Sequence, residues 1–325
     1  EVKSTGSMIR ILVNDGIEQD GQTLLEEANF IVDTEKIPQE ELPQRLPEYD
    51  VIIVRSATKV RKDLIDQCPN LKVIARGGVG LDNIDVDYAQ SKGITVFNTP
   101  AASSKSVAEL AFAHIFALAR GLHLSNRELP KGTDFAKLKK RFSSGFELRG
   151  RTLGILGLGR IGQESARIAL ALGMHVIPVD IVIDEAEIDI EFDRYSDIKV
   201  RLHLESEKME TMLQEADVIT VHVPFKGGKP LIGAAEIEKM KDGVILINTA
   251  RGGAIDEDAL LSALNSGKVG GAGIDVFMNE PTPNPILLSH DKVSVTPHIG
   301  ASTEEAQTRI GLELAERIIQ HFDRG

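Results

Sequence analysis

A glycine-rich hexapeptide is the sharpest chemical signature in the sequence. Residues Gly157–Gly162 read GLGRIG and directly follow the apolar run Leu153–Leu156. In a strand–turn–helix unit, Gly157 would allow the tight turn, Gly159 would let the backbone approach a pyrophosphate, and Gly162 would allow close packing of the helix on the strand. The helix N-terminus would then present free N–H groups to the phosphates. A tight turn without a ligand is the alternative.

A carboxylate follows at a spacing that is typical of dinucleotide sites. The next predicted strand, His175–Val179, ends in Asp180, which lies 18 residues after Gly162. A carboxylate there accepts hydrogen bonds from both ribose hydroxyls and repels a 2′-phosphate, so it favours NAD over NADP. The hexapeptide and Asp180 together predict an NAD site.

Three further polar side chains stand just after predicted strands, where the ligands of open α/β sheets bind. They are Arg251, Glu280 and His298. A guanidinium can hold a carboxylate by a bidentate contact and polarise an adjacent carbonyl. A histidine whose partner carboxylate raises its pKa is suited to proton transfer near neutral pH.

Each of these residues has a plainer interpretation when it is taken alone. Arg251 could be a surface ion-pair partner, Glu280 a loop carboxylate before Pro281, and His298 a turn histidine with satisfied hydrogen bonds. Beside a dinucleotide site, however, the three form a set that is suited to the oxidation of a 2-hydroxy acid.

Two series of alternating strands and helices would position these groups. Short continuous apolar runs are typical of parallel strands covered on both faces, and their alternation with helical stretches predicts an α/β fold. The predicted strands are Ile9–Val13, Phe30–Val32, Val51–Val54, Val73–Ala75 and Thr95–Phe97 in the first series, and Leu153–Leu156, His175–Val179, Val218–Val221, Val244–Asn248, Gly271–Asp275 and Val293–Thr296 in the second.

Two predicted helices and two charged stretches depart from this alternation. A helix from Ser104 to about Ala119 is apolar all round, which places it between domains or between subunits. A final helix spans about Thr303–His321, with Ser302 as its N-cap. Residues 131–141 carry five basic residues and one acidic residue, and form a solvated surface or an anion-facing patch. Residues 181–201, with seven acidic and three basic residues, are expected to be an exposed excursion.

Composition narrows the class of protein. The 325 residues suffice for two ordinary domains, and a formal net charge of −12 argues against nucleic acid or an anionic membrane as partner. The one cysteine, Cys68, excludes an internal disulfide framework and a cysteine-rich zinc site; we expect it to be buried, and we predict no metal site. No apolar run approaches the ~20 residues of a membrane helix. These features indicate a cytoplasmic enzyme, preceded by a tag remnant at residues 1–7.

Several motifs in a fixed order give the sequence a family resemblance. They are Val54–Val60, Arg76–Asp85, Phe97–Pro100, Gly154–Gly162, His222–Pro224, Asn248–Gly253, Gly273–Phe277 and Thr296–Ala301. With them the chain resembles the D-isomer-specific 2-hydroxyacid dehydrogenases from Met8 to its end. The stretch between Asp180 and Ala216 is longer and more acidic than the family pattern.

The resemblance implies a role for each matching residue. His298 would take the hydroxyl proton, Glu280 would hold the imidazole, and Arg251 would bind the substrate carboxylate and the forming carbonyl. The implied cofactor-binding residues are Val79, Gly157, Gly159, Arg160, Ile161, Gly162, Asp180, Val223, Pro224, Thr249, Ala250, Asp275, Gly300 and Ala301, with Asp275 at the nicotinamide end. The implied substrate-binding residues are Arg55, Ser56, Arg76, Gly78 and Val79.

The substrate phosphate would be held by Arg55 and Arg76. Gly78 and Val79 would close over the substrate carboxylate with their N–H groups. Further cations for the phosphate, from the same chain or from a partner subunit, would be Lys137, Lys139, Lys140 and Arg141.

The same resemblance implies the domain organisation. Two Rossmann-like, doubly wound parallel-sheet domains would enclose a cleft, with residues 8–100 and 298–325 forming the substrate domain and residues 101–297 the NAD-binding domain. The protein would be a homodimer or homotetramer. Because the chain stops after the last helix, we expect no C-terminal regulatory domain and no feedback by serine through one.

The implied reaction is the NAD-dependent oxidation of 3-phospho-D-glycerate to 3-phosphohydroxypyruvate, a step of serine biosynthesis. The nearest alternative is the reduction of glyoxylate, hydroxypyruvate or another D-2-keto acid. The alternative from another class is a non-catalytic, NAD-sensing scaffold of the corepressor kind.

Overall fold

The computed structural model describes residues 8–132 and 134–323, so the predicted tag remnant lies outside the described residues. Within this part of the chain, two compact units form. The first comprises the residues up to Ser103 together with those from Ala301 onward, and the second comprises Ser104–Gly300. Each unit is built on a parallel sheet, which confirms the predicted α/β class.

The first unit has a parallel sheet in the order β2-β1-β3-β4-β5. The order reverses beside β1, as in doubly wound folds. Its strands are β1 (Arg10–Val13), β2 (Ile31–Asp33), β3 (Val51–Val54), β4 (Val73–Arg76) and β5 (Thr95–Phe97), and its first helices are α1 (Gln19–Glu27), α2 (Leu42–Arg45), α3 (Lys62–Asp66) and α4 (Val86–Ser91), with 3₁₀ turns at Gln39–Glu41 and Leu46–Glu48.

Side chains of this sheet enter two hydrophobic layers, one on each face. Along β3, for example, Ile52 packs into one layer and Ile53 into the other, as the period of a strand requires. The first layer also contains Cys68, whose predicted burial is confirmed. Burial raises the pKa of the Cys68 thiol to about 11, so the thiol stays protonated and unreactive at neutral pH.

The second unit has a larger parallel sheet in the order β13-β12-β11-β10-β6-β7, together with the hairpin β8-β9. Its strands are β6 (Thr152–Leu156), β7 (His175–Val179), β8 (Glu185–Glu191), β9 (Lys199–Glu205), β10 (Val218–Val221), β11 (Val244–Asn248), β12 (Val269–Ile274) and β13 (Val293–Val295), and its helices are α5 (Ser104–Arg120), α6 (Leu122–Glu128), α7 (Phe135–Arg141), α8 (Arg160–Ala171), α9 (Met209–Glu215), α10 (Ala234–Glu238), α11 (Glu257–Ser266) and α12 (Pro285–Ser289), with a 3₁₀ turn at Leu129–Lys131. Every predicted strand is present, and its ends lie within two residues of the prediction.

The strand order of the second unit reverses between β6 and β10. A crevice opens at such a switch point, beyond the carboxyl ends of the strands. The glycine-rich hexapeptide follows β6, and the His222–Pro224 segment follows β10. The topology therefore places these two segments side by side at the carboxyl ends of β6 and β10.

The acidic stretch at 181–201 is largely exposed, as predicted, but most of it belongs to a hairpin that was not predicted. Strands β8 and β9 pair in antiparallel register. Ile188 is fully buried in the core of the second unit, and Arg167 of α8 donates through Nε to the carbonyl of Asp189 at 2.6 Å. The charges stay on the outer face, where Arg201 pairs with Asp189 at 2.7 Å.

The apolar helix α5 is covered inside its own unit. It packs against α8 and against β11, β12 and β13. Ala111, Phe112 and Ile115 are buried there, whereas Phe116 is exposed. The expected position between domains or subunits is therefore not needed to explain its sequence, and the homodimer or homotetramer stays a prediction.

No single helix in residues 8–132 and 134–323 is both long and apolar enough to cross a membrane. Among the same residues, one pair of helical segments passes the test of length and composition when the two are taken together. The pair is α5 and Leu122–Lys131, with a bend of 64° between them.

The last helix, α13 (Glu304–Asp323), returns the chain to the first unit. Its N-cap is Thr303, whose Oγ1 accepts the N–H of Ala306 at 3.2 Å, so the predicted cap at Ser302 is wrong by one residue. Helix α13 packs closely on α1: a Cβ at Gly21 would lie 2.5 Å from the carbonyl oxygen of Gly311.

This crossing predicts opposite effects for two similar substitutions. Gly21→Ala should destabilise the protein by about 1–3 kcal/mol, because the new methyl group meets the backbone of α13. Gly311→Ala should be neutral or stabilising by up to about 1 kcal/mol, because its methyl group would make only ordinary contacts, such as 3.5 Å to the Cβ of Glu18, and alanine favours a helix. Urea unfolding followed by circular dichroism measures both. Equal losses in the two variants would contradict this account of the crossing.

Candidate active site

The glycine-rich loop between β6 and α8 admits no side chain at two of its glycines. Gly157 has a φ of 107°, and a Cβ there would lie 2.6 Å from the carbonyl oxygen of His222. A Cβ at Gly162 would lie 1.9 Å from the carbonyl oxygen of Gly157. At Gly159, by contrast, a Cβ would meet nothing within 4 Å. Gly157 and Gly162 are thus required by the fold, and Gly159 leaves open space.

Helix α8 begins at Arg160, and its N-cap, Gly159, has no side chain to cap the helix. The N–H groups of the first helical turn have no partner within a helix. Together with the positive end of the helix dipole, they suit the binding of an anion such as a pyrophosphate. The open space at Gly159 lies where such a group would approach.

Asp180 ties the end of β7 to this loop. Its carboxylate accepts the N–H of Leu158 at 2.7 Å, of Val182 at 2.8 Å and of Ile183 at 3.0 Å. Burial alone would raise its pKa, but these backbone donors outweigh burial and hold the pKa of Asp180 below its ordinary value. The carboxylate is therefore ionised at neutral pH, as the predicted ribose contact requires.

His222 supports the loop from β10, although its sequence context assigns it no role of its own. Its Nε2 lies 2.8 Å from Oγ of Ser165 on α8 and 3.1 Å from Oγ1 of Thr220. Burial lowers the pKa of His222 to about 3, so the ring is neutral. The neighbouring Val223 lies against Gly157. The structure therefore gathers Asp180, Val223 and the glycines at one edge of the sheet.

A buried hydroxyl supports the predicted cofactor residues after β11. Thr249 is buried, and its Oγ1 has no hydrogen-bond partner among the described residues. The Ala250 N–H donates to Oδ1 of Asn248 at 3.0 Å. An unpaired buried hydroxyl and an open glycine loop both fit a dinucleotide.

Close backbone contact joins the turn of Arg251 to the turn of Glu280. A Cβ at Gly252 would lie 2.0 Å from the carbonyl oxygen of Phe277, so only glycine allows the two turns to touch. The guanidinium of Arg251 donates to the carbonyl of Ala250 at 2.8 Å, and Asn248 donates to the carbonyl of Arg251 at 2.9 Å. Arg251 is thus held at the end of β11, beside the loop that bears Glu280.

Glu280 and His298 form a direct contact. Nδ1 of His298 lies 2.8 Å from Oε2 of Glu280, and Oε1 of Glu280 accepts the N–H of Phe277 at 3.0 Å. The carboxylate can only accept, so Nδ1 donates. This leaves Nε2 as the nitrogen that can accept a proton. Because about half of the His298 side chain is exposed, a substrate can reach it.

Asp275 organises the turn that carries His298. It is almost fully buried, with 1% exposed. Its Oδ1 accepts the hydroxyl of Thr296 at 2.7 Å and the N–H of Ile299 at 2.8 Å, and its Oδ2 accepts the N–H of Gly300 at 3.0 Å. His298, between these contacts, has a φ of 55°, which is uncommon for a residue with a side chain. Asp275, predicted to meet the nicotinamide, thus lies under the turn that carries His298.

In the first unit, the two predicted phosphate ligands stand at the ends of paired strands. Val54 of β3 pairs with Arg76 of β4, and Arg55 follows Val54. The guanidinium of Arg55 donates to Oε1 of Gln307, and that of Arg76 donates to the carbonyl of Gly77.

The surroundings of these arginines include acceptors as well as donors. An open recess at Arg55 is lined by Glu18, Ser302, Thr303, Glu304, Gln307 and Thr308. The Gly78 N–H, predicted to meet a substrate carboxylate, donates to Oγ1 of Thr99 at 2.7 Å.

In the second unit, Arg141 pairs with Asp291 at 3.3 Å. The predicted contribution of residues 137–141 to an anion site stays a prediction.

Comparisons with known proteins find similar sequences over most of the chain. Residues 112–300 match the family model described as D-isomer specific 2-hydroxyacid dehydrogenase, NAD binding domain. A hydroxypyruvate reductase of Thermotoga maritima is 46% identical over 96% of this chain and 98% of its own length. A D-3-phosphoglycerate dehydrogenase of Methanocaldococcus jannaschii is 43% identical over 96% of this chain, which spans only 57% of that relative.

A solved structure extends the likeness to the fold. A D-lactate dehydrogenase of Aquifex aeolicus, complexed with NAD and lactic acid, is 30% identical with a TM-score of 0.72. The match covers 97% of this chain and 96% of that one. The cofactor predicted from the glycine loop and Asp180, NAD, is thereby confirmed.

The glycine loop predicts a separation of folding from binding. Gly159→Ala should leave the urea midpoint unchanged, because the methyl group enters open space, but should raise the Kd for NADH by about tenfold or more, equal to ~1.4 kcal/mol. Gly162→Ala should lower the stability as well, because its methyl group meets the Gly157 carbonyl. Calorimetric titration with NADH tests this. Wild-type affinity in Gly159→Ala would refute the proposed approach of the pyrophosphate.

Proposed function

Because the chain belongs to the D-isomer specific 2-hydroxyacid dehydrogenase family, whose cofactor is NAD, we propose that it oxidises 3-phospho-D-glycerate to 3-phosphohydroxypyruvate and catalyses the reverse reduction. The observation that carries the oxidoreductase chemistry is the contact of 2.8 Å between Glu280 and His298. The NAD-binding domain is assigned to the second unit and the substrate domain to the first.

In the oxidation, Nε2 of His298 takes the proton of the C2 hydroxyl. When bound, NAD supplies the acceptor for the hydride that leaves C2. The carboxylate of Glu280 stabilises the imidazolium that forms, because an ionised partner within hydrogen-bond distance favours the charged ring. In the reduction, the same imidazolium returns the proton to the carbonyl oxygen.

Arg251 is assigned to the substrate carboxylate and to the oxygen on C2. A guanidinium has fixed, paired donors, so it can bind the carboxylate while polarising the carbonyl. Its place beside the Phe277–Glu280 loop supports this assignment. Glu280 binds Nδ1 of His298 and so leaves Nε2 accessible as a proton acceptor. A non-catalytic NAD-binding scaffold would not require this arrangement.

The cofactor preference follows from Asp180. An ionised carboxylate at the end of β7 accepts hydrogen bonds from the ribose hydroxyls and repels the extra phosphate of NADP. Arg160, Ile161 and the N-terminus of α8 are assigned to the pyrophosphate, with Val223 and Pro224 near the adenine.

The phosphate of the substrate is assigned to Arg55 and Arg76. They stand at adjacent strand ends of the first unit, and an acidic protein needs local cations to bind a triply charged anion. The loop residues Ser56, Gly78 and Val79 complete this set of assignments.

Reduction of unphosphorylated hydroxypyruvate is the second candidate function. Glu18 and Glu304 line the recess of Arg55, and carboxylates disfavour a phosphate dianion there. The Thermotoga maritima relative, matched over nearly its whole length, is a hydroxypyruvate reductase. The two candidate substrates share the three-carbon 2-oxo acid and differ in the phosphate on C3.

A pair of substrates and a pair of variants distinguish the two functions. We expect kcat/KM for the reduction of 3-phosphohydroxypyruvate by NADH to exceed that for hydroxypyruvate. Arg55→Gln and Arg76→Gln should each lower the value for the phosphorylated substrate by about tenfold or more, since a lost charged contact costs ~1.5–3 kcal/mol. They should change the value for hydroxypyruvate little. Equal losses on both substrates would show that the arginines do not recognise the phosphate.

The proton-transfer role of His298 gives a separate test. His298→Ala should lower kcat by between about 100-fold and 10,000-fold, because general acid–base catalysis is lost. The Kd for NADH, measured by calorimetry, should stay at the wild-type value. A matched control is His290→Ala, which removes a histidine bonded to Asn265 outside the site. Retention of wild-type turnover by His298→Ala would refute the proposed mechanism.

A further inference from the structure

A second histidine lies buried beneath the catalytic turn, and neither the dinucleotide site nor the Glu280–His298 contact uses it. His114 of α5 has only 2% of its surface exposed. Its Nδ1 lies 2.8 Å from Oγ of Ser294, and its Nε2 lies 2.9 Å from Oγ1 of Thr296. Both ring nitrogens therefore contact hydroxyls of the segment that leads to His298.

The sheet is shaped to receive this side chain. A Cβ at Gly273 of β12 would lie 2.5 Å from Cβ of His114 and 2.8 Å from Cδ1 of Ile247. Any side chain at Gly273 would push α5 away from the sheet and lengthen the two contacts of the imidazole. A glycine in the interior of a buried strand, where it weakens the strand, commonly marks such a close approach.

The direction of every hydrogen bond in this cluster follows from Asp275. Its carboxylate can only accept, so the Thr296 hydroxyl must donate its hydrogen to Oδ1. Oγ1 of Thr296 is then left to accept, and Nε2 of His114 must carry the proton. In a neutral ring Nδ1 is consequently an acceptor, and the Ser294 hydroxyl donates to it.

The neutral state of the ring is consistent with its surroundings. Burial, the largest influence, lowers the pKa of His114. The carboxylate of Asp275 acts in the opposite direction, and His123 adds to the lowering of the pKa. The ring therefore acts at neutral pH as a fixed donor on one side and a fixed acceptor on the other.

The chain of contacts ends at the catalytic turn. His114 fixes Thr296, and Thr296 helps to fix the Asp275 carboxylate, which holds the N–H groups of Ile299 and Gly300. His298, at its left-handed φ of 55°, lies between Thr296 and these two donors. A shift of the carboxylate would move the turn and separate Nδ1 of His298 from Glu280.

We propose that His114 is a positioning residue for the catalytic histidine, acting through Thr296 and Asp275 to hold His298 against Glu280. The effect on turnover rests on the function proposed above, whereas the effect on the His298–Glu280 contact does not. A positioning group of this kind acts on kcat, because a small displacement of the proton acceptor is costly in the transition state.

Three variants separate positioning from general stability. His114→Leu keeps the approximate size of the side chain and removes both hydrogen bonds, and should lower kcat by between about 10-fold and 100-fold with little change in KM or in the Kd for NADH. His114→Gln places an amide N–H near the position of Nε2 and should recover most of the loss. His123→Leu is the matched control, since the ring of His123 contacts the Asp291 carbonyl instead of a hydroxyl of the 294–296 segment, and it should behave as wild type. Equal activity of His114→Leu and wild type, or no recovery in His114→Gln, would overturn the proposal.

Nuclear magnetic resonance of protein labelled with ¹⁵N-histidine gives a readout that needs no turnover. In the wild type, His114 should be neutral with its proton on Nε2; the other tautomer, or a charged ring, at neutral pH would overturn the proposal. The Nδ1–H resonance of His298, bonded to Glu280, should be lost or shifted in His114→Leu and kept in His114→Gln. An unchanged resonance in His114→Leu would also overturn it.

A second variant covers the case in which His114→Leu does not fold. Thr296→Val breaks the same chain of contacts from the other side while leaving His114 in place, and should shift the His298 resonance in the same way. Failure of the proposed function is seen in the wild type, as an absence of turnover with either substrate. Failure of the positioning role is seen in the variants, as a His298 resonance that does not move.

Discussion

The buried carboxylate of Asp275 is the interaction on which the turn that carries His298 depends. Removing a charge from water is costly unless donors replace the lost hydration, and here a hydroxyl and two backbone N–H groups do so. Because all three donors belong to Thr296–Gly300, the need to solvate one charge dictates the path of that segment. The strained backbone of His298 persists because this carboxylate holds the residues on either side of it.

Much of this arrangement is visible in the sequence because parallel strands end at one edge. Arg251, Glu280 and His298 each follow a continuous apolar run, and this position alone is enough to group them. The two turns that carry Arg251 and Glu280 do meet, and Glu280 does contact His298. The sequence does not show which residue each glycine contacts. Gly252 can be recognised as a turn residue, but its contact with Phe277 joins segments that are distant in the chain.

The features that the sequence did not predict have identifiable physical reasons. In residues 185–191 the charge count hides a period-two alternation, with Ala186, Ile188 and Ile190 between acidic residues, which is the pattern of a half-buried strand. Helix α5 is apolar on several sides because α8 and the sheet both cover it within one unit. His114 cannot be recognised locally, because its hydroxyl partners lie about 180 residues further along the chain.

The return of α13 to the first unit has a consequence for the order in which the protein can fold during synthesis. The second unit is one continuous stretch, Ser104–Gly300, so all of its strands have been made before the chain is finished. The first unit lacks the helix that packs on α1 until residues 304–323 have emerged. On the ribosome, therefore, the second unit can complete its core first, although the first unit begins earlier. One face of the five-stranded sheet stays uncovered until α13 has been made.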